Sequence, residues 1–131
     1  MKIITVIARF LLGFIFLVFG MNGFLHFIPP SLPSGTAGQF VGALFVSHYL
    51  VPIFLFQLIS AVLLLVYRYV PLALTLLAPI IVNILLIHIL MLPSGLPLAL
   101  LVTVLWIVVF LRVRSAFDGL LQQRVPAQAL R

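Results

Sequence analysis

The chain contains no cysteine. That excludes a disulfide, a thiolate metal site and a cysteine nucleophile. Acid is almost as scarce: among 131 residues, Asp118 is the only carboxylate side chain. Paired-carboxylate acid–base catalysis, carboxylate-bridged di-iron centres and carboxylate proton relays are therefore excluded. There is no Gly-rich phosphate loop, nucleophile elbow or His-x-x-x-His metal pair. Charge of either sign makes up 6% of residues, where soluble domains carry about 25%. So few charges cannot cover the surface of a soluble domain.

What the chain has is hydrocarbon. Hydrophobic residues make up 66% of it, and its mean hydropathy is +1.45. Its apolar runs reach the ~20 residues that a helix needs to cross a bilayer. They lack the alternation of barrel strands, and only helices or closed barrels satisfy backbone groups in lipid. The reading is an all-α membrane protein, a four-transmembrane-helix bundle forming a single domain over residues 1–131. The spans fall near residues 3–27, 50–67, 71–91 and 96–111. Pro29-Pro30 stops the first, Pro71 opens the third, and Pro93-Ser94-Gly95 turns the chain into the fourth.

The cations support this layout. Lys2, Arg9, Arg68, Arg112, Arg114, Arg124 and Arg131 fall on one side of a four-span arrangement, and the opposite loops, 28–49 and 92–95, hold no Lys or Arg. The positive-inside rule then places both termini in the cytoplasm. The net charge of +6 does not indicate nucleic acid, because these residues are scattered over span ends and line no groove. A cleaved signal peptide is disfavoured: the first apolar stretch is too long and no small-residue cleavage site follows it. Residues 36–48 place Ala37, Phe40, Val41, Leu44 and Phe45 at helical spacing, as in a short amphipathic helix on the outer face. Residues 112–131 form a cytoplasmic tail, in which Asp118 can pair with Arg114 four residues earlier.

Polar residues inside the spans mark the candidate site, since they are costly in hydrocarbon. Asn22 and His26, then Leu32-Pro33-Ser34-Gly35, are echoed by Asn83 and His88, then Leu92-Pro93-Ser94-Gly95. Both copies end on the outer side, as a tandem hairpin repeat requires. Gln57, in the second span, lies at comparable depth, about 10 Å below its outer end at 1.5 Å per residue. The reading is an outward-facing polar pocket formed by Asn22, His26, Gln57 and Asn83. His88 is five residues from Asn83, about 140° around an ideal helix, and joins the pocket only if Pro79 kinks the span. The bland alternative is that these side chains bond across helices, at about 0.6 kcal/mol each. Arg9 lies within the first span and has no intramembrane carboxylate. Either it snorkels to the cytoplasmic headgroups, or it binds backbone carbonyls, an anionic lipid or the head group of a ligand. Gly13, Gly20 and Gly23 share its face, which suits close helix packing.

The pocket has no carboxylate and only two histidines, a poor set for haem or a metal. A quinone headgroup suits it better, being flat and apolar with two carbonyls to which a neutral histidine could donate.

The tract from Arg9 through Gly13, Gly20, Asn22 and Gly23 to His26 resembles the first helix of the DoxX family. The tract from Val70 through Pro79 and Asn83 to His88, with the turn through Pro93 to Pro97, resembles its third. The likeness extends over about residues 5–115. It implies a multi-pass protein of the bacterial inner (plasma) membrane. Some relatives are associated with quinone-linked sulfur oxidation or membrane oxidoreductase complexes. Relatives often carry Glu in the second helix where this chain has Gln57, so proton handling is not carried over.

The first expectation is thus an accessory subunit of a membrane oxidoreductase system, not catalytic by itself, that holds a quinone-like ligand and contacts the lipid bilayer and a membrane or redox partner protein. A small-molecule transporter or exporter is the alternative, and it would need a homodimer to enclose a path. A structural partner that docks another membrane protein on the glycine face of the first span is the third reading.

Overall fold

The computed structural model describes residues 2–29 and 32–131. Pro30, one of the two prolines expected to stop the first span, lies outside the described residues. Five α-helices follow one another: α1 (Lys2–Leu25), α2 (Gly35–Val46), α3 (Leu50–Leu65), α4 (Val70–Leu90) and α5 (Leu96–Val113). A 3₁₀ turn, Pro93–Gly95, joins α4 to α5, and two more, Arg114–Leu121 and Ala127–Leu130, follow α5. No strand occurs among the described residues. The four long helices start and stop within two residues of the expected spans.

Side-chain and backbone chemistry explains the ends. The Asn22 side-chain oxygen accepts the Ile28 N–H at 2.7 Å, and His26 turns left-handed (φ 52°), so α1 ends before its prolines. Between α3 and α4, Tyr67 (φ 57°) and Tyr69 (φ 52°) adopt left-handed backbone where glycine is usual. Pro71 then occupies the first turn of α4. Pro79 sits inside α4 and removes one donor to the Thr75 carbonyl.

The helices form a ring in which α1 packs on α3, α3 on α4, α4 on α5 and α5 on α1. Leu12, Leu64, Leu74, Leu77 and Val109 meet at its centre, each fully buried. Trp106 pins α5 to α4 by donating from Nε1 to the Leu74 carbonyl at 3.0 Å, and it stacks on Phe110 at 5.0 Å. Outside the ring the surface is apolar: Ile3, Phe14 and Leu90 are 73%, 60% and 72% exposed.

Three stretches are long and apolar enough to cross a membrane: α1, α4 and the continuous run from Pro93 to Leu121. The expected second span differs. With 16 residues, α3 is about 24 Å long, short of the ~30 Å hydrocarbon core. It reaches spanning length only with α2, to which it is bent by 85°. The expected amphipathic segment is thus the helix α2, with Ala37 buried. The expected Asp118–Arg114 pair is absent among the described residues. They lie in a 3₁₀ turn, where three residues per turn put positions i and i+4 about 120° apart.

Gly13, Gly20 and Gly23 all face α3. A Cβ at Gly13 would lie 3.0 Å from Leu65 Cγ and 3.3 Å from the Ala61 carbonyl oxygen. One at Gly20 would lie 3.0 Å from the Leu58 side chain, and one at Gly23 would overlap the Phe54 ring. The glycine face is therefore consumed within the chain and is not free for a partner protein. Alanine is the better helix former at any exposed helical glycine, so sign separates packing from propensity. Gly23→Ala should cost about 1–3 kcal/mol by overpacking against Phe54. Gly42→Ala, which meets open space, should be stabilising by up to about 1 kcal/mol. Unfolding followed by the fluorescence of Trp106 checks both.

Candidate functional site

Two cavities flank α3 and share Phe54, Gln57 and Ile84. The first, of about 350 Å³, lies within the ring and is lined by all four long helices. Its polar groups are Asn22 from α1, Gln57 from α3 and His88 from α4, set among Phe16, Phe19 and Leu98. The second, of about 490 Å³, lies between α2, α3 and α4 and holds Gln57 and Asn83, with Phe40, Leu44 and Tyr49 at its α2 side. Phe54 forms a wall of both. It occupies the slot left open by Gly23 and meets Phe24 edge-on at 6.2 Å.

The structure distributes the expected site residues over these spaces. Asn22, Gln57 and His88 line the first cavity; Gln57 and Asn83 line the second. The angular separation of Asn83 and His88 on α4 is expressed as two cavities. His26 is exposed at the end of α1, its ring edge-on to Phe45 at 6.0 Å, and lines neither cavity. Arg9 lies elsewhere, nearer the N-terminal end of α1.

Hydrogen bonds within the chain decide which atoms remain for a ligand. Asn22 uses its oxygen on the Ile28 N–H, leaving its NH₂ as a donor. Asn83 donates to the Pro79 carbonyl at 2.8 Å, one turn back on its own helix. His88 Nδ1 lies 2.9 Å from the Leu92 carbonyl oxygen. A carbonyl only accepts, so Nδ1 carries the proton and Nε2 of the neutral ring is an acceptor. This reverses the expected role of a neutral histidine as donor to a ligand carbonyl. Gly95 makes that geometry possible: a Cβ there would collide with the His88 ring. In the other copy of the motif, Gly35 meets nothing and serves a left-handed backbone instead (φ 71°).

Gln57 is different in kind. It is 7% exposed, and its side-chain oxygen is buried without a partner. Ser60, one turn further along α3, is 0% exposed and its hydroxyl oxygen is also without a partner. Native interiors leave few such groups. The sequence marks Gln57 as polar in an apolar run but does not show that it lacks a bond. Ser60 and Gly95 were not apparent as site residues, since serine in a helix and glycine in a turn are ordinary.

The first cavity thus offers a donor at Asn22, an acceptor at His88 and an unsatisfied acceptor oxygen at Gln57, with aromatic and aliphatic walls and no Asp, Glu, Lys or Arg. Such a space takes a neutral, flat ligand with both hydrogen-bonding senses. Among the described residues there is no group of three or more His, Cys, Asp or Glu side chains that could hold a metal ion.

No family model matches the chain, and no curated protein or solved structure matches it. The reading of this site therefore rests on its own geometry.

Removing an unpaired buried polar atom recovers its desolvation cost. Ser60→Ala and Gln57→Leu should each stabilise the ligand-free protein by about 1–3 kcal/mol. Denaturant or thermal midpoints of the two variants against the parent test this.

Proposed function

We propose that the chain is a DoxX-like, multi-pass protein of the bacterial inner membrane that holds a quinone-like ligand, with its headgroup between Asn22, Gln57 and His88. The observation that carries this reading is the buried, unpartnered side-chain oxygen of Gln57 at the seam of two apolar cavities, an acceptor that a ligand hydroxyl would satisfy. Their sizes fall within the ~300–1,000 Å³ of small-molecule sites. The first cavity suits a substituted ring, and the adjoining space beneath α2 suits an isoprenoid chain. No carboxylate lines either cavity, so His88 is the one side chain there suited to pass a proton, and the ligand's electrons would be exchanged with a partner protein. Hence the chain is an accessory subunit of a membrane oxidoreductase rather than a catalyst alone.

Membrane insertion is supported by the exposed apolar flanks of the bundle and by three or four helices of spanning character. Orientation is supported by Lys2, Arg9 and Arg112, which gather at one end of the bundle, the end assigned to the cytoplasm by its cations. The absence of native cysteine makes a clean test. Ser94→Cys should react with an impermeant maleimide added outside intact spheroplasts, and Ser115→Cys only after lysis. Labelling of Ser115→Cys in intact cells would reverse the topology.

His88 Nε2 accepts, so a hydroxyl of the ligand fits it better than a carbonyl. A ubiquinol or menaquinol analogue should bind roughly tenfold more tightly than its quinone, an increment worth one good hydrogen bond. His88→Phe should abolish that preference, and Gln57→Leu should weaken both forms while leaving the protein folded. Titration of the purified protein with the two redox forms reads this directly. No saturable binding of either form, or equal binding in Gln57→Leu, would sink the proposal.

A further inference from the structure

A third cavity, of about 340 Å³, opens at the other end of the ring, where the start of α1, the α3–α4 turn and the end of α5 converge. Lys2, Arg9 and Arg112 line it, and no acidic residue does. The chain's one carboxylate, Asp118, belongs to the 3₁₀ turn after α5.

Arg9 is the unusual member, being only 8% exposed. Its Nη1 donates to the Leu64 and Leu65 carbonyls at the end of α3. Its guanidinium carbon lies 4.5 Å from the Phe10 ring centre and 4.7 Å from that of Tyr67. These neutral partners fix the guanidinium plane but leave its charge uncompensated. An unpaired buried cation is costly. Among the described residues no acceptor engages Nε or Nη2. Lys2 and Arg112 are exposed, and Val6, Val70, Val109 and Val113 supply apolar walls.

We propose that this cavity binds a phosphate group, held by the remaining Arg9 donors with Lys2 and Arg112 closing over it. A fixed guanidinium fork suits phosphate oxygens, and two exposed cations complete the counter-charge. The phosphate comes either from an anionic phospholipid, whose glycerol and first methylenes the valines would contact, or from a soluble phosphate compound. This inference stands apart from the quinone reading, because the two sites share no residue.

The test compares retention of phosphatidylglycerol and phosphatidylcholine by delipidated protein in native mass spectrometry, alongside thermal shifts with inorganic phosphate. The double variant Lys2→Gln/Arg112→Gln changes exposed residues and should fold as the parent does. It should lose roughly tenfold or more in phosphatidylglycerol affinity, as expected for two interfacial charges, with phosphatidylcholine unaffected. The control, Arg68→Gln/Arg114→Gln, removes equal charge away from the cavity lining and should retain parental affinity. Preference for phosphatidylglycerol assigns the lipid source. A saturable shift with inorganic phosphate, lost in Lys2→Gln/Arg112→Gln and without lipid preference, assigns the soluble source. Equal losses in the two double variants would reduce the effect to surface charge and overturn the site, as would the absence of both lipid preference and phosphate response.

Discussion

The arrangement of this bundle depends on one contact, the burial of Arg9 against the end of α3. A helix leaves its last carbonyls without intrahelical donors. In α3 these are taken in turn by the chain reversing on itself and by Arg9. The Val66, Arg68 and Tyr67 N–H groups bond Val62, Leu63 and Leu64, and the guanidinium donates to Leu64 and Leu65. A cation at a helix C-terminus also meets the negative end of the macrodipole. The reach is possible because Gly13, four residues along the same face of α1, brings α1 within contact of Leu65 and the Ala61 carbonyl. The two left-handed tyrosines of the following turn belong to the same arrangement: one of them, Tyr67, lies against the guanidinium.

From that end the α1–α3 pair stays close along its length, and the closeness positions the candidate site. Gly20 admits Leu58 and Gly23 admits Phe54. Phe54 then walls both cavities, and Gln57, one turn further along α3, is left between them. The α4–α5 side is held differently, by the Trp106 bond to Leu74 and by stacking of Trp106 on Phe110. One pair is joined by missing side chains and the other by large ones. The residues of the two similar tracts do different work. Asn22 ties down the end of its helix, whereas Asn83 bonds back to Pro79. His26 is exposed beside Phe45, whereas His88 is fixed by Leu92 and Gly95.

Helix positions were legible in the sequence because unbroken apolar runs and prolines leave few alternatives. The shortness of α3 and its sharp bend from α2 were not, since Leu50 to Tyr67 reads as one more apolar run. The polar site was legible in its members but not in its bonding. Spacing shows that Asn83 and His88 diverge around a helix, but not that each has a backbone partner of its own. The role of Arg9 lay between two readings, and snorkelling was the simpler. Burial with α3 carbonyls as acceptors replaces it, and that depends on a left-handed turn at Tyr67 and Tyr69 that their residue types do not announce.

The near-absence of carboxylates links the two ends of the molecule. A bundle with one acid cannot pair its own cations and has no carboxylate relay for protons. Its interior polar groups must then find neutral partners within the chain or partners from outside it. Asn22, His88 and Trp106 take the first course, each with a backbone group, as does the exposed Asn83. Gln57, Ser60 and the charge of Arg9 do not. Gln57 and Ser60 each hold an oxygen lacking a bond, and Arg9 is a cation lacking an anion. Gln57 faces a cavity with largely apolar walls, and Arg9 one walled by valines and two further cations. An unmet hydrogen bond calls for a neutral ligand, and an unmet charge for an anion. These requirements differ in kind and lie at opposite ends of the bundle, so a single ligand does not satisfy both.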